Sequence, residues 1–588
     1  MPSQYFANTF TECLFVLTVT FAFAQSTIFS GMATVMTDFI GRDLGMDGEV
    51  VWITSACLLT SGAFVLPFGT LADTIGRKNM ALAAMVLTTL AVFAAGWSPS
   101  GTVLIVFTAL IGLFSAAAVS PAVGQLGAVY SQPSRRRNRA FACFSAGNPL
   151  GFVVGTFVAG VVLEITRKAG NESGWRVCFW VFCVLCAGFA GLVAFTVPSD
   201  ETIGVLGSAR GLGMWEVIKR FDLLGALLVT GGVSLVSAGL TLAGVAPKGW
   251  GTPYVIAMIV VGFVLLGVFI YWQSVYKFPL MPLYIWKDRN FSLVIILLST
   301  GNAAFTCSSF WLCLYLQRVQ SMSALWIAIY LLPQNINGLI VNFVCSLILH
   351  RVSHRVLMGV GAVAYLGSFL LLALLQPIRL YYWAFIFPAL LLAVVGADLQ
   401  FNVANSYVMS SLPREQQSLA GGILSAVNKL LSNVTLSIST AVYYAGVNAA
   451  GSTGNANGLA GYKAAFWMLV GVAGVNLLLV PFLKIEKKVM EDTQPLTEDQ
   501  KDLEKGVEKG TSDNVCETKR YLETDLEKER ERDLEKEIEE ELERAFERSF
   551  EEERVSRAEL RTEKSIKSIK MEVDVQGVVK TRRRSRSL

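Results

Sequence analysis

Charge is scarce along most of this chain. Of its 49 Lys and Arg and 45 Asp and Glu, 24 and 30 fall in residues 485–588, which leaves 25 and 15 for the first 484 positions. Soluble domains carry about one charged residue in four, so this composition excludes one for the body of the chain. The formal net charge of +4 is the sum of an apolar body and a charge-dense appendix, and it gives no basic surface for nucleic acid. Histidine occurs twice, as His350 and His354. Their i, i+4 spacing has no third ligand nearby, which argues against zinc, and neither metal nor cofactor is expected. No G-x-x-x-x-G-K loop followed by Ser or Thr occurs, which argues against ATP-driven pumping by this chain; no enzymatic activity is expected. Nine of the ten cysteines lie inside apolar stretches; Cys183 and Cys186 are among them and read as buried thiols rather than a redox pair. No basic segment followed by a short apolar run and a cleavage site opens the sequence, so insertion is expected to begin with the first apolar run.

What is abundant is hydrophobic: 53% of residues are apolar and the mean hydropathy is +0.52. A helix crosses the hydrocarbon with about 20 apolar residues. Fourteen such runs are present, at 12–36, 49–70, 79–97, 101–130, 139–163, 174–197, 221–245, 252–275, 288–317, 322–349, 355–374, 380–408, 415–446 and 461–484. An even number puts both termini on one side. Assigned alternately, the loops on the side of the termini carry fifteen basic residues and the opposite loops eight, which places both termini and the tail in the cytoplasm. The sequon Asn171-Glu172-Ser173 then falls outside, as a glycosylation site requires.

One connection carries a specific pattern. Between the second and third runs stands Gly69-Thr70-Leu71-Ala72-Asp73-Thr74-Ile75-Gly76-Arg77-Lys78. Its glycines permit a tight turn, Asp73 is suited to cap a helix N-terminus, and Arg77 and Lys78 suit an anionic inner surface. This resembles the gating loop of the major facilitator superfamily, with Thr74 where that family has a second basic residue. In the fifth run, Gly147, Gly151 and Gly155 share one helical face beside Pro149, with Gly160 beyond. Such a face admits another helix closely. It resembles the superfamily's antiporter motif in part, since Thr156 and Ala159 replace a proline and a glycine. The alternative is a plain packing face. Gly174-Trp175-Arg176, Asp222 to Gly225, Pro279 to Leu283 and Leu412 to Gln416 are similar to further family stretches. Together with fourteen spans they resemble the fourteen-span drug:H+ antiporters, in particular fungal multidrug and aminotriazole-resistance-like exporters, over residues 10–484.

That resemblance implies an all-α membrane protein of the major facilitator fold. Residues 1–11 are a cytoplasmic N-terminus and 12–197 a six-helix bundle. Residues 198–220 are a cytoplasmic loop, 221–275 two inserted spans, 276–287 a linker, 288–484 a second six-helix bundle and 485–588 the tail. One bundle would rock against the other around a central site. Two departures bear on coupling. Gln25 stands where the family has a membrane-embedded acid, and Thr108 where it has an arginine.

Ionisable residues at membrane depth are functional candidates. Asp398 lies in the twelfth span with Asn402 and Asn405 on its face, and Lys429 lies in the thirteenth. Either the two form an ion pair, or Asp398 takes up protons or binds substrate while Lys429 tunes its proton affinity. Asn302, Gln334, Asn335 and Asn337 are further pathway candidates; the last three follow Pro333, where a broken ladder would expose carbonyls. Phe310, Trp311, Trp326 and Tyr330 offer aromatic surface, with helix or lipid packing as the alternative. The tail is expected to be a solitary charged helix or disordered, adhering to anionic lipid or cytoplasmic proteins through its basic end. The expected function is proton-coupled efflux of a small organic molecule by a monomer in the plasma membrane, with the vacuolar membrane as the alternative site. Rival readings are a nutrient uptake carrier, a borate or aminotriazole exporter, and a non-transporting receptor.

Overall fold

The structure, a computed structural model, describes residues 6, 8–46, 49–130, 135–170, 173–198, 222–243, 246, 248–277, 279–349, 352–375, 382–411, 417–450 and 459–484. Asn171, His350, the loop at 412–416 and the tail lie outside them. Among the described residues there are fourteen α-helices long and apolar enough to cross a membrane, and no strand. They are α1 (Thr9–Leu44), α2 (Val51–Ile75), α3 (Arg77–Gly96), α4 (Gly101–Val129), α5 (Arg135–Lys168), α6 (Gly174–Thr196), α7 (Leu223–Ala243), α8 (Pro253–Val275), α9 (Arg289–Arg318), α10 (Ala324–Ile348), α11 (His354–Ala373), α12 (Phe387–Ser411), α13 (Gln417–Ala450) and α14 (Leu459–Leu479). Each run has no water to satisfy its backbone, so only helix closes the peptide hydrogen bonds. Local chemistry sets several ends. Gly45 terminates α1 in the left-handed conformation at φ 64°, Pro253 opens α8, and the Asp288 side chain caps α9 by accepting from Asn290 N at 2.9 Å.

α1 outruns its expected end at 36 by two turns. Its last residues include charged ones, but these have partners: Asp38 and Asp43 are both engaged by other helices. At Pro333 the expected break does not occur, and α10 runs through it from Ala324 to Ile348; neighbouring membrane helices tolerate the lost bond. A turn of π-helix, Tyr382–Ile386, leads into α12.

The neighbour pattern repeats with an offset of eight helices. α1 packs on α4, α5 and α6 as α9 does on α12, α13 and α14; α4 packs on α2 and α3 as α12 does on α10 and α11; α3 meets α6 as α11 meets α14. Two six-helix bundles of one design follow. They meet mainly through α2 against α13 and α5 against α10, which the same offset relates. α7 and α8 pair with each other, and α7 leans on α2 and α13 at one side of that seam. α8 keeps Val260, Phe263, Val264, Ile270 and Tyr271 exposed, as a lipid-facing helix does.

Candidate translocation pathway

The turn between α2 and α3 is built on Gly76, whose φ of 109° suits glycine alone. Arg77, the first residue of α3, donates from Nη1 to the Gly124 carbonyl at 2.8 Å and so ties the turn to α4. Lys78 is half-buried beside it. The side chains of Asp73 and Thr74 are outside the described set. The other family-like stretches fasten elements together. Trp175 donates to Asp43 at 2.8 Å, and Arg176 donates to the carbonyls of Gly96 and Ser98, joining α1, α3 and α6. Asp222 is 2% exposed and accepts from Gly225 N, Trp272 Nε1 and Gln273 Nε2. Gln273 in turn accepts from Met281 N, which pins the α7–α8 hairpin to the linker before α9.

The glycine face of α5 lies against α1. A Cβ at Gly147 would meet Thr20 at 2.9 Å, one at Gly151 the Ala24 carbonyl at 2.8 Å, and one at Gly155 would overlap the Ile28 carbonyl. The contact is with backbone, so no rotamer change relieves it. Gly160 faces the other bundle instead, where a Cβ would lie 2.8 Å from Ala328 Cβ and 3.0 Å from the Ala324 carbonyl of α10.

At the C-terminal end of α1 and α9 the two bundles are joined by polar contacts. Asp38 of α1, whose side chain is 3% exposed, receives Arg318 Nε of α9 at 2.6 Å and Arg42 Nη2 at 2.6 Å. Gln317 donates to the Val35 carbonyl at 2.7 Å, and Glu164 of α5 hydrogen-bonds Ser323 before α10. This end is closed. A buried pair broken on one side costs more than an exposed one, so Asp38→Asn is expected to loosen it. In a cysteine-depleted background, an impermeant maleimide should label a cysteine placed at Ala328 about tenfold faster, the factor ~1.4 kcal/mol of lost closure energy gives. Unchanged labelling would mean the pair does not hold the end shut. Asp38 is missed by a reading of apolar runs because it lies beyond the run's apparent end.

Several pathway candidates converge in the second bundle. Asn402 of α12 donates to Asn342 of α10 at 2.7 Å and to the Asp398 carbonyl. Asn337 donates to the Leu391 carbonyl, and Asn302 of α9 donates to Asn428 of α13 at 3.0 Å. Asn342 hydrogen-bonds the Asp398 carboxylate, while Asp398 Oδ2 is buried without a partner. Gln334 and Asn335 are buried, with Asn335 Nδ2 unpartnered, and Asn405 is half-buried. Asp398 and Lys429 are not paired: among the described residues no ion pair joins them. Their faces diverge, Asp398 looking to Asn342 on α10 and Tyr365 on α11, Lys429 to Gly62 and Cys57 on α2. The ion-pair reading is therefore set aside.

Gln25 lies on the inward part of α1. It shares a stripe with Phe21 and Phe29, four residues either side, which pack on Phe189 and Phe179 of α6. It is wholly buried with both amide atoms unpartnered. Thr108 is buried too and turns its hydroxyl to the Ile105 carbonyl. Of the aromatics, Phe310 and Trp311 belong to the core; Trp311 stacks on Tyr443 at 4.5 Å and donates to Ser439. Trp326 is exposed, and Tyr330 packs on Tyr382.

A family profile described as Major Facilitator Superfamily matches residues 14–436. A low affinity ammonium transporter of Saccharomyces cerevisiae is 25% identical over 472 residues, covering 78% of this chain and 87% of the relative. The efflux pump terJ of Aspergillus terreus is 25% identical, covering 81% and 88%. The aminotriazole resistance protein of Saccharomyces cerevisiae is 24% identical, covering 82% and 86%. With fourteen membrane-length helices in two bundles of repeated design, the chain belongs to the Major Facilitator Superfamily and is a multi-pass membrane transporter.

Proposed function

We propose that the protein exports a small organic toxin, drug or secondary metabolite in exchange for protons, as one of the fourteen-span antiporters. Asp398 carries the reading: it is a carboxylate at membrane depth with one oxygen buried and unpartnered, in a chain whose first bundle has Gln25 and Thr108 where a proton-coupling acid and arginine would stand. The relative named as an efflux pump supports the direction. Residues 12–197 and 288–484 rock about the seam, with 221–275 as an inserted hairpin. Gly69, Asp73, Gly76, Arg77 and Lys78 act at the cytoplasmic gate, and Asp38 and Arg318 at the outer one. Asn302, Gln334, Asn335, Asn337, Asn402 and Asn405 line or support the path. The protein works as a monomer in the plasma membrane with cytoplasmic termini, a glycan at Asn171 and a tail that adheres to anionic lipid.

The test is the purified full chain in sealed liposomes containing a pH-sensitive dye. Adding aminotriazole, borate or members of a panel of fungal metabolites to one side should drive proton movement that empty liposomes lack. Solute flux with no accompanying proton movement would overturn the coupling. A second reading, uptake of ammonium, is favoured by the ammonium transporter relative at the same identity. Accumulation of methylammonium from outside, unaffected by Asp398→Asn, would select it.

A further inference from the structure

Resting on the transporter reading, we infer that the seam between the bundles holds an anion-binding position at Lys429, so that the transported solute carries a negative charge. Lys429 sits in the membrane-spanning part of α13, where that helix crosses α2; its Cβ lies 3.0 Å from the place a Cβ would occupy on Gly62, and Cys57 is the group that faces its charge. Among the described residues no carboxylate reaches the ammonium and it makes no hydrogen bond. It remains half-buried rather than sealed.

A cation at this depth without a counter-ion is costly unless something supplies the opposite charge. Among the described residues neither bundle does. Asp398 is turned to α10 and α11, Asp38 is engaged by two arginines, and the buried Gln25 and Thr108 of the first bundle carry no charge. The flanking groups are polar rather than bare hydrocarbon. Asn428, the residue before Lys429, accepts from Asn302, and Ser432 donates to the Asn428 carbonyl. Because α2 and α13 belong to different bundles, a solute that neutralises Lys429 bridges the two moving halves. That is the position from which binding biases an alternating-access equilibrium. An ammonium ion would be repelled from the same place, which weighs against the ammonium reading.

The experiment uses the purified full chain in detergent with no gradient, so its outcome does not depend on proton coupling. Thermal unfolding is followed with three probes of similar shape and fixed charge: benzenesulfonate, benzenesulfonamide and benzyltrimethylammonium. Benzenesulfonate is expected to raise the melting temperature of wild type, with the amide and the cation at least tenfold weaker in apparent affinity. Lys429→Met should lose that preference at least tenfold, whereas Lys429→Arg should keep it within about threefold, because either cation can pair with a sulfonate. Without probe, Lys429→Met should melt no lower than wild type, since it removes an uncompensated charge. No stabilisation by benzenesulfonate, equal stabilisation by the cation, or full retention in Lys429→Met would overturn the inference. If these results hold but Asp398→Asn leaves gradient-driven flux intact, only the coupling assignment falls.

Discussion

Asp398→Asn is expected to reduce pH-gradient-driven transport to the level of empty liposomes while leaving downhill solute exchange partly intact. Asn preserves size and hydrogen bonding but cannot bind and release a proton. The structure sharpens what should happen to stability. Because Lys429 is on a different face, the substitution strands no cation, and because Asp398 Oδ2 has no partner, it removes no hydrogen bond from that atom. The folded amount at the membrane and the melting temperature should therefore equal or exceed wild type. A variant that disappears from the membrane would point to a structural role. Normal amount with normal gradient-driven flux would remove Asp398 from the coupling mechanism.

Gly155→Leu is expected to abolish transport and to cost about 1–3 kcal/mol or more of stability, the range for overpacking a close contact. The reason is specific to this position. A side chain there meets the Ile28 carbonyl rather than a movable side chain, so α1 and α5 must part along the most extensive helix contact in the first bundle. Ala at Gly155 is expected to be harmful as well, since its Cβ alone reaches that carbonyl. Gly151→Leu should behave similarly against Ala24 and Thr27. Gly188 on α6 has no atom within 4 Å of its Cβ position, so Gly188→Ala is the control and should match wild type. Size-exclusion profiles and vesicle flux for the set check this; a monodisperse, fully active Gly155→Leu would show that the close approach is dispensable.

The glycine spacing of 147, 151 and 155 announced a helix-contact face in the sequence, and α1 occupies it. The stretches at Trp175 and Asp222 were recognisable as patterns, yet their work as staples between α1, α3 and α6 and between the hairpin and α9 needed coordinates. Asp38 gave too weak a signal. It follows an apolar run and precedes Arg42, and nothing in its neighbourhood points 280 residues ahead to Arg318. Gln25 and Lys429 gave signals that were strong in chemistry and silent in direction.

Fourteen spans and their order were legible in the sequence, because hydrocarbon thickness and unsatisfied backbone groups act on each segment alone. What only the tertiary structure decided is rotation. A span fixes how deep a polar residue lies, but which neighbour it faces depends on how twelve or more helices pack at once, and a turn of about 100° per residue on the helix axis is enough to move a side chain from the seam into a bundle. That is why Gln25 is wholly buried with both amide atoms unpartnered, why Asp398 and Lys429, both at membrane depth on consecutive helices, look away from each other, and why Arg42 and Arg318 converge on an aspartate that sequence alone left unremarked.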